Sequence, residues 1–349
     1  MKYRLFNVRR VTMKKRIMSA LMAILVAAAA FTPVVHAETD YSEYSNKAVN
    51  FSLNLRDDHK KPSCAKPKGV KLKDYDAYYY GTDAYKAKEK VCYLTFDCGY
   101  ENGYTKKILK TLKENNIKAI FFITKQYLEE KPEIVKQMKE EGHLVGNHTC
   151  NHPRLCDCSV KKIKKEIKGC AKAMKKLTGY DMDYFCRPPE GAYSERVLKV
   201  LQDMGYATMF WSLAYYDYEP SDEPGADLVV SKFKKHHFPG LMPLMHVISK
   251  SNRDALPRVI KYLKEKGYRF GEVTEFIKTP KQKQEEAAAA ASTAETAAEP
   301  AATTAADQTA AEPAATTAAD QTAAESAATT AADQTAAEPA ATTAAEQAQ

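Results

Sequence analysis

The residues able to do chemistry in this chain fall at breaks in its pattern. Asp97 ends the run Val91-Cys92-Tyr93-Leu94-Thr95-Phe96-Asp97 and is followed by Cys98, Gly99 and Gly103. The run alternates and is β-branched and aromatic, as a buried strand is. The spacing of Tyr104, Ile108 and Leu112 beyond it predicts a helix. A carboxylate where a strand feeds a helix sits where α/β folds keep their chemistry. Taken alone, Asp97 would serve equally well as the cap of that helix.

Four further groups follow. His148 and His152 stand four apart in Gly146-Asn-His-Thr-Cys-Asn-His-Pro153. Neutral imidazoles suit zinc and similar divalent metals, though such a pair also stacks or caps. The flanking glycine and proline mark a tight turn. Arg187-Pro188-Pro189-Glu190-Gly191 places a guanidinium beside stiff prolines, able to grip a carboxylate in fixed geometry. Trp211 is the only tryptophan; with Asp217 and Tyr218 it would floor a sugar site, or it is a core residue. His246 ends the apolar run from Leu241 and can serve as an acid near neutral pH.

The elements that must position these residues alternate between strand and helix. Lys118–Ile123, Leu144–Gly146, Ala207–Trp211 and Leu241–His246 read as strands. Pro132 opens a helix through Ile134, Val135 and Met138 that closes at Gly142. Ser159 caps a helix striped by Val160, Ile163, Ile167, Ala171, Met174 and Leu177 and ended by Gly179. Ser194 caps another, ended by Gly205, and Leu256, Val259, Ile260 and Leu263 make a last helix before Gly267. Repeated βα units imply an α/β domain built on a parallel sheet or barrel over residues 91–278. Residues 38–90, polar and tyrosine-rich with Lys-Pro breaks, read as an extended arm around it.

Residues 1–37 hold seven basic residues and no acid, then an apolar run from Ile17 to Phe31 and Val35-His36-Ala37. That is the pattern of a secretory signal peptide; the run falls short of the roughly 20 residues that span a bilayer. Retention as an anchor is the alternative. Export gives a disulfide-permissive compartment, although the pairing of eight cysteines is not readable from their spacing. From residue 285 a 13-residue Ala/Thr/Glu/Pro unit recurs, starting at Ala297, Ala310, Ala323 and Ala336. It has no apolar face to bury and reads as a disordered spacer or a neutral repeat expansion. This tail carries eleven acids and no base, so the part between signal and tail is +12 although the whole chain is +8. Outside the cell such charge suits an anionic wall glycan, and no aromatic-basic motif of the nucleic-acid kind occurs.

Thr95-Phe96-Asp97-x-Gly99, His148-x₃-His152, Arg187-Pro-Pro-x-Gly191, Asp217 and the strand ending in His246 together resemble the motifs of the NodB-type polysaccharide deacetylases, carbohydrate esterase family four. The resemblance covers about residues 50–278. Tyr100-Glu-Asn-Gly-Tyr104, Glu141-Gly-His-Leu-Val-Gly-Asn-His148, Trp211-Ser212 and Lys73-Asp-Tyr-Asp-Ala-Tyr-Tyr79 are similar to the PdaA-like branch, which deacetylates peptidoglycan toward muramic δ-lactam in spore cortex. The resemblance implies a distorted (β/α) barrel with its site at the strand C-termini. It implies Asp97 as general base, Arg187 as its partner and His246 as acid oriented by Asp217. It implies His148 and His152 as ligands of a divalent metal, and the imidazoles, with a thiolate at Cys98, would favour zinc.

This sequence departs from the family pattern in three places. Cys98 stands where the family has its third metal ligand, an aspartate. Either a thiolate completes a zinc-type site, or Cys98 is a small buried residue. Glu190 replaces a common tyrosine and Tyr218 a tryptophan, both where substrate is held. The expected activity is removal of N-acetyl groups from muramic acid in peptidoglycan glycan strands. N-acetylglucosamine of wall glycan is the alternative substrate. A glycan-binding wall protein without catalysis is the alternative of another class.

Overall fold

In the computed structural model, seven short parallel strands form the frame that carries the site. They are β1 (Ala77–Tyr78), β2 (Thr95–Cys98), β3 (Ile120–Ile123), β4 (Leu144–Asn147), β5 (Phe185–Cys186), β6 (Ala207–Met209) and β7 (Leu244–His246), in the order β7-β2-β3-β4-β5-β6-β1. The structure describes residues 39–278 together with 283 and 286. The signal-like segment 1–37 and, Glu286 apart, the repeat-bearing segment 285–349 lie outside them. Among the described residues no helix is long and apolar enough to cross a membrane.

The sheet is packed on both faces, each against its own apolar cluster. On β3, Phe121 and Ile123 join the main core beneath the helices, while Ile120 and Phe122 enter a second cluster with Tyr93, Phe185, Met209 and Met242. Successive side chains alternate across a strand, so a sheet covered on both sides reads as a continuous apolar run. Among the described residues eight α-helices surround it: α1 (Thr82–Ala87), α2 (Thr105–Glu114), α3 (Lys125–Glu130), α4 (Pro132–Glu140), α5 (Val160–Thr178), α6 (Glu195–Asp203), α7 (Ala226–His236) and α8 (Lys250–Glu265). The result is an open (β/α) barrel, as expected.

Most of the expected elements form, with shorter strands except β4, which runs one residue further to Asn147. Ser159 accepts from the Lys162 amide and Ser194 from the Val197 amide, capping α5 and α6. Gly179 ends α5 at φ 80°, a left-handed conformation that costs glycine nothing. Unforeseen are α1, α3 and α7, whose apolar stripes are short or interrupted, and the two-residue β5. The segment read as an arm supplies the edge strand β1, pairing Ala77 with Thr208 and Tyr78 with Met209. It also pairs Val49–Asn50 antiparallel with Ala192–Tyr193, beside the arginine turn. All eight cysteines are free thiols.

Beyond β6 the chain stays beside β7. Ser212 donates its amide to the Met242 carbonyl at 2.7 Å, and Leu244 donates to Leu213 at 2.8 Å. This pairing brings the loop carrying Asp217 against the end of β7.

Candidate active site

At the C-terminal ends of the strands lies a cleft of about 800 Å³, lined by residues that include Asp97, His148, His152, Glu190, Trp211, Tyr218 and His246. Register explains the meeting: on neighbouring parallel strands Asp97 is paired with His246 on one side and Phe122 on the other.

Arg187 follows β5 and lies wholly out of solvent. Its Nη1 donates to Asp97 Oδ1 at 2.7 Å and its Nη2 to Thr95 Oγ1 at 2.8 Å. Its Nε reaches the carbonyl of Met209 at 3.1 Å and a second Nη2 donor that of Phe210 at 3.1 Å. The guanidinium stacks over Phe122, 4.3 Å from the ring centre. Every donor direction of the fork but one is thereby used, which is how an arginine tolerates burial. Burial alone would raise the Asp97 carboxyl; the charge of Arg187 first, then that of His246 and the hydrogen bond from Arg187, hold it below the ordinary carboxylate value.

His148 lies across from this pair. Its Nδ1 donates to the Arg187 carbonyl at 2.7 Å, which leaves Nε2 unprotonated and facing Asp97 Oδ2 at 3.6 Å. Burial lowers its pKa to about 4, and burial also lowers that of His152. The rings stand edge to face with centres 4.8 Å apart. Two neutral imidazoles, one with its tautomer set by a backbone carbonyl, fit the nitrogen donors of a divalent cation.

Cys98 does not join them. Thr95 and Asp97 both face Arg187, so the alternation of β2 turns Phe96 and Cys98 the other way, into the core with Leu109, Tyr127 and Val247. Burial first, then the nearby acids, keeps its thiol protonated by raising its pKa well above the usual value. Among the described residues no three His, Cys, Asp or Glu side chains are grouped to hold a metal ion. The expectation of a Cys-His-His set is therefore not met; Cys98 is the small buried residue.

On the opposite wall His246 Nδ1 meets Asp217 Oδ1 at 2.7 Å, and the His246 amide donates to Asp217 Oδ2 at 2.9 Å. The Asp217 side chain is fully buried, and Asn252 adds a third bond from α8, Nδ2 to Asp217 Oδ2 at 2.6 Å. Sequence reasoning missed Asn252 because it follows the β7 motif on a helix with no motif of its own. Trp211 packs edge-on against Phe51 at 5.1 Å and also lines the cleft. Tyr218 is 57% exposed at the rim, next to His246. Glu190 sits at the rim in a left-handed conformation, φ 58°, paired with Arg154 at 2.8 Å.

Residues 84–209 match the family described as Polysaccharide deacetylase. The chain is 35% identical over 232 residues to the peptidoglycan-N-acetylmuramic acid deacetylase PdaA of Bacillus subtilis, spanning 66% of this chain and 87% of that one. This chain belongs to the polysaccharide deacetylase family. The solved structure of PdaA, a family 4 carbohydrate esterase, matches at TM-score 0.63 and 35% identity over 66% of this chain and 97% of that chain. A peptidoglycan-N-acetylglucosamine deacetylase of Bacillus cereus is 34% identical over 194 residues, 54% of this chain and 69% of its own length. This polysaccharide deacetylase is thus a hydrolase of carbon–nitrogen bonds, with an open-barrel fold shared with its solved relative.

Proposed function

We propose that this deacetylase removes N-acetyl groups from peptidoglycan amino sugars, acting on muramic acid. The observation that carries the chemistry is the placing of a carboxylate held ionised by Arg187 and a histidine held by Asp217 in one cleft. Amide hydrolysis needs a base for the attacking water and a proton for a poor leaving group. Asp97 takes the water proton as oxygen bonds to the acetamide carbon. His246 Nε2 delivers a proton to the nitrogen as the C–N bond breaks, releasing acetate and a sugar amine. Arg187 keeps Asp97 ionised; Trp211, Tyr218 and Glu190 hold the glycan. His148 and His152 would hold a divalent cation, which when bound supplies Lewis-acid polarisation of the carbonyl.

Muramic acid is supported by the likeness to PdaA over 87% of that protein's length. The match to an N-acetylglucosamine deacetylase supports the second substrate. The basic-then-apolar segment 1–37 supports export, and with it the reading of residues 91–278 as a catalytic domain acting at the cell wall.

The test is mass spectrometry of defined peptidoglycan fragments, with and without peptide on muramic acid, incubated with the protein lacking residues 1–37 and added zinc. Acetyl loss confined to muramic acid upholds the proposal. Loss at glucosamine selects the second substrate, and no loss with any divalent metal defeats both.

A further inference from the structure

A buried acid outside the reacting groups has no part in the chemistry above. Glu166 lies on α5 between Ile163 and Ile167, on the face that packs inward, and its side chain is 1% exposed. Such a carboxylate persists only where its oxygens are satisfied. Its Oε2 accepts from the amides of Cys150 at 3.0 Å and Asn151 at 2.9 Å. Its Oε1 accepts from Asn151 Nδ2 at 2.9 Å and Lys162 Nζ at 2.8 Å. Burial would raise its pKa; the bonds from Lys162 and Asn151 outweigh that and hold it below the ordinary value.

Three of those four bonds end on the turn between His148 and His152. That turn passes through left-handed backbone at two residues other than glycine, Thr149 at φ 71° and His152 at φ 52°. Each is a sparsely populated conformation that persists only when its surroundings impose it. From within the turn, Asn147 Oδ1 accepts the Thr149 amide and Thr149 Oγ1 accepts the His152 amide. From outside, the Lys125 amide donates to the Thr149 carbonyl at 3.1 Å, and Glu166 holds the next two residues, anchored on a 19-residue helix.

We infer that Glu166 is a positioning residue for the His148–His152 pair, fixing the turn so that both imidazoles address one divalent cation. It acts through the amides of Cys150 and Asn151. The inference rests on reading the two histidines as a metal pair, and the test separates the two claims.

Zinc affinity is measured by competition with a chromophoric chelator for the wild type, His148→Ala, Glu166→Gln and Val230→Ala. Val230 is buried on α7, and its truncation supplies destabilisation without contact to the turn. Thermal unfolding of each metal-free protein is recorded in parallel. His148→Ala is expected to lose the site, Val230→Ala to bind as wild type, and Glu166→Gln to bind about tenfold or more weakly. Wild-type affinity in Glu166→Gln, with His148→Ala deficient, overturns the role of Glu166 whatever the melting temperature does. Wild-type affinity in His148→Ala defeats the metal-pair reading, and the inference with it. If Glu166→Gln does not fold, Asn151→Ala replaces it, removing one of the four bonds. A several-fold loss is then expected, and no loss overturns the inference.

Discussion

Arg187 and Asp97 meet at 2.7 Å although 90 positions separate them, with side chains 0% and 6% exposed. A buried ion pair is weak evidence for stability, because desolvating two charges offsets most of their attraction. What the pair secures is a carboxylate that stays ionised in a site shielded from water. The same arginine ties together β2, β6 and the turn after β5, so the charge and the geometry come from one side chain.

Removing that arginine should therefore be costly in two ways. Arg187→Met leaves Asp97 as an unpaired buried charge and is expected to cost about 3–5 kcal/mol of stability, read by urea unfolding, and to abolish turnover. Arg187→Lys keeps the charge but not the fork, so it should recover part of the stability and little activity. Full activity in Arg187→Lys would show that charge alone suffices.

The acid limb of the mechanism makes a pH prediction. Burial lowers the His246 pKa, but the charge and hydrogen bond of Asp217 more than offset it, leaving the pKa above its ordinary 6.5. The imidazolium, and the stability its pairing contributes, is present below pH 6.5 and lost as pH rises through the raised value. Plots of kcat/KM against pH should fall on the alkaline side. Asp217→Asn still accepts the Nδ1 proton without the charge, and should move that limb to lower pH. An unmoved limb would assign the acid to another group.

Cys98 offers a clean separation of packing from ligation. Cys98→Ala is expected to bind zinc with wild-type affinity, because the side chain faces the core, while losing about 1–2 kcal/mol of stability. A marked loss of zinc affinity, measured by chelator competition, would return the thiol to the metal site.

Gly191 tests whether Trp211 floors a sugar site. A methyl group there would stand 2.6 Å from Trp211 Cη2 and 3.1 Å from Phe51 Cβ, at a φ of 64° that side chains rarely adopt. Gly191→Ala should cost about 1–3 kcal/mol by overpacking and displace the indole. Steady-state kinetics on glycan oligomers should show KM raised with kcat largely kept. A fall in kcat alone would mean that Trp211 does not hold substrate.

Much of the site was legible because each residue ends a strand or begins a tight turn, and those local signals survive in sequence. Asp97, His148, His152, Arg187 and His246 were found this way. Glu166 was hidden, although one signal stood in plain view: it is the lone acid within the stripe of Ile163, Ile167 and Cys170. Asn252 was hidden for a different reason. Its partners Asp217 and His246 come from other elements, so no spacing connects them.

The sequence by itself determined the alternation of strands and helices, the caps at Ser159 and Ser194, and which side chains could react. Those properties follow from local backbone preference and from the period of burial. Only the tertiary structure decided which face of β2 each residue takes. One register step separates Asp97 in the cleft from Cys98 in the core, and it is set by the packing of the sheet between two apolar layers. The pairing of Asp217 with His246 was decided the same way, by the run of chain beyond β6 lying against the start of β7.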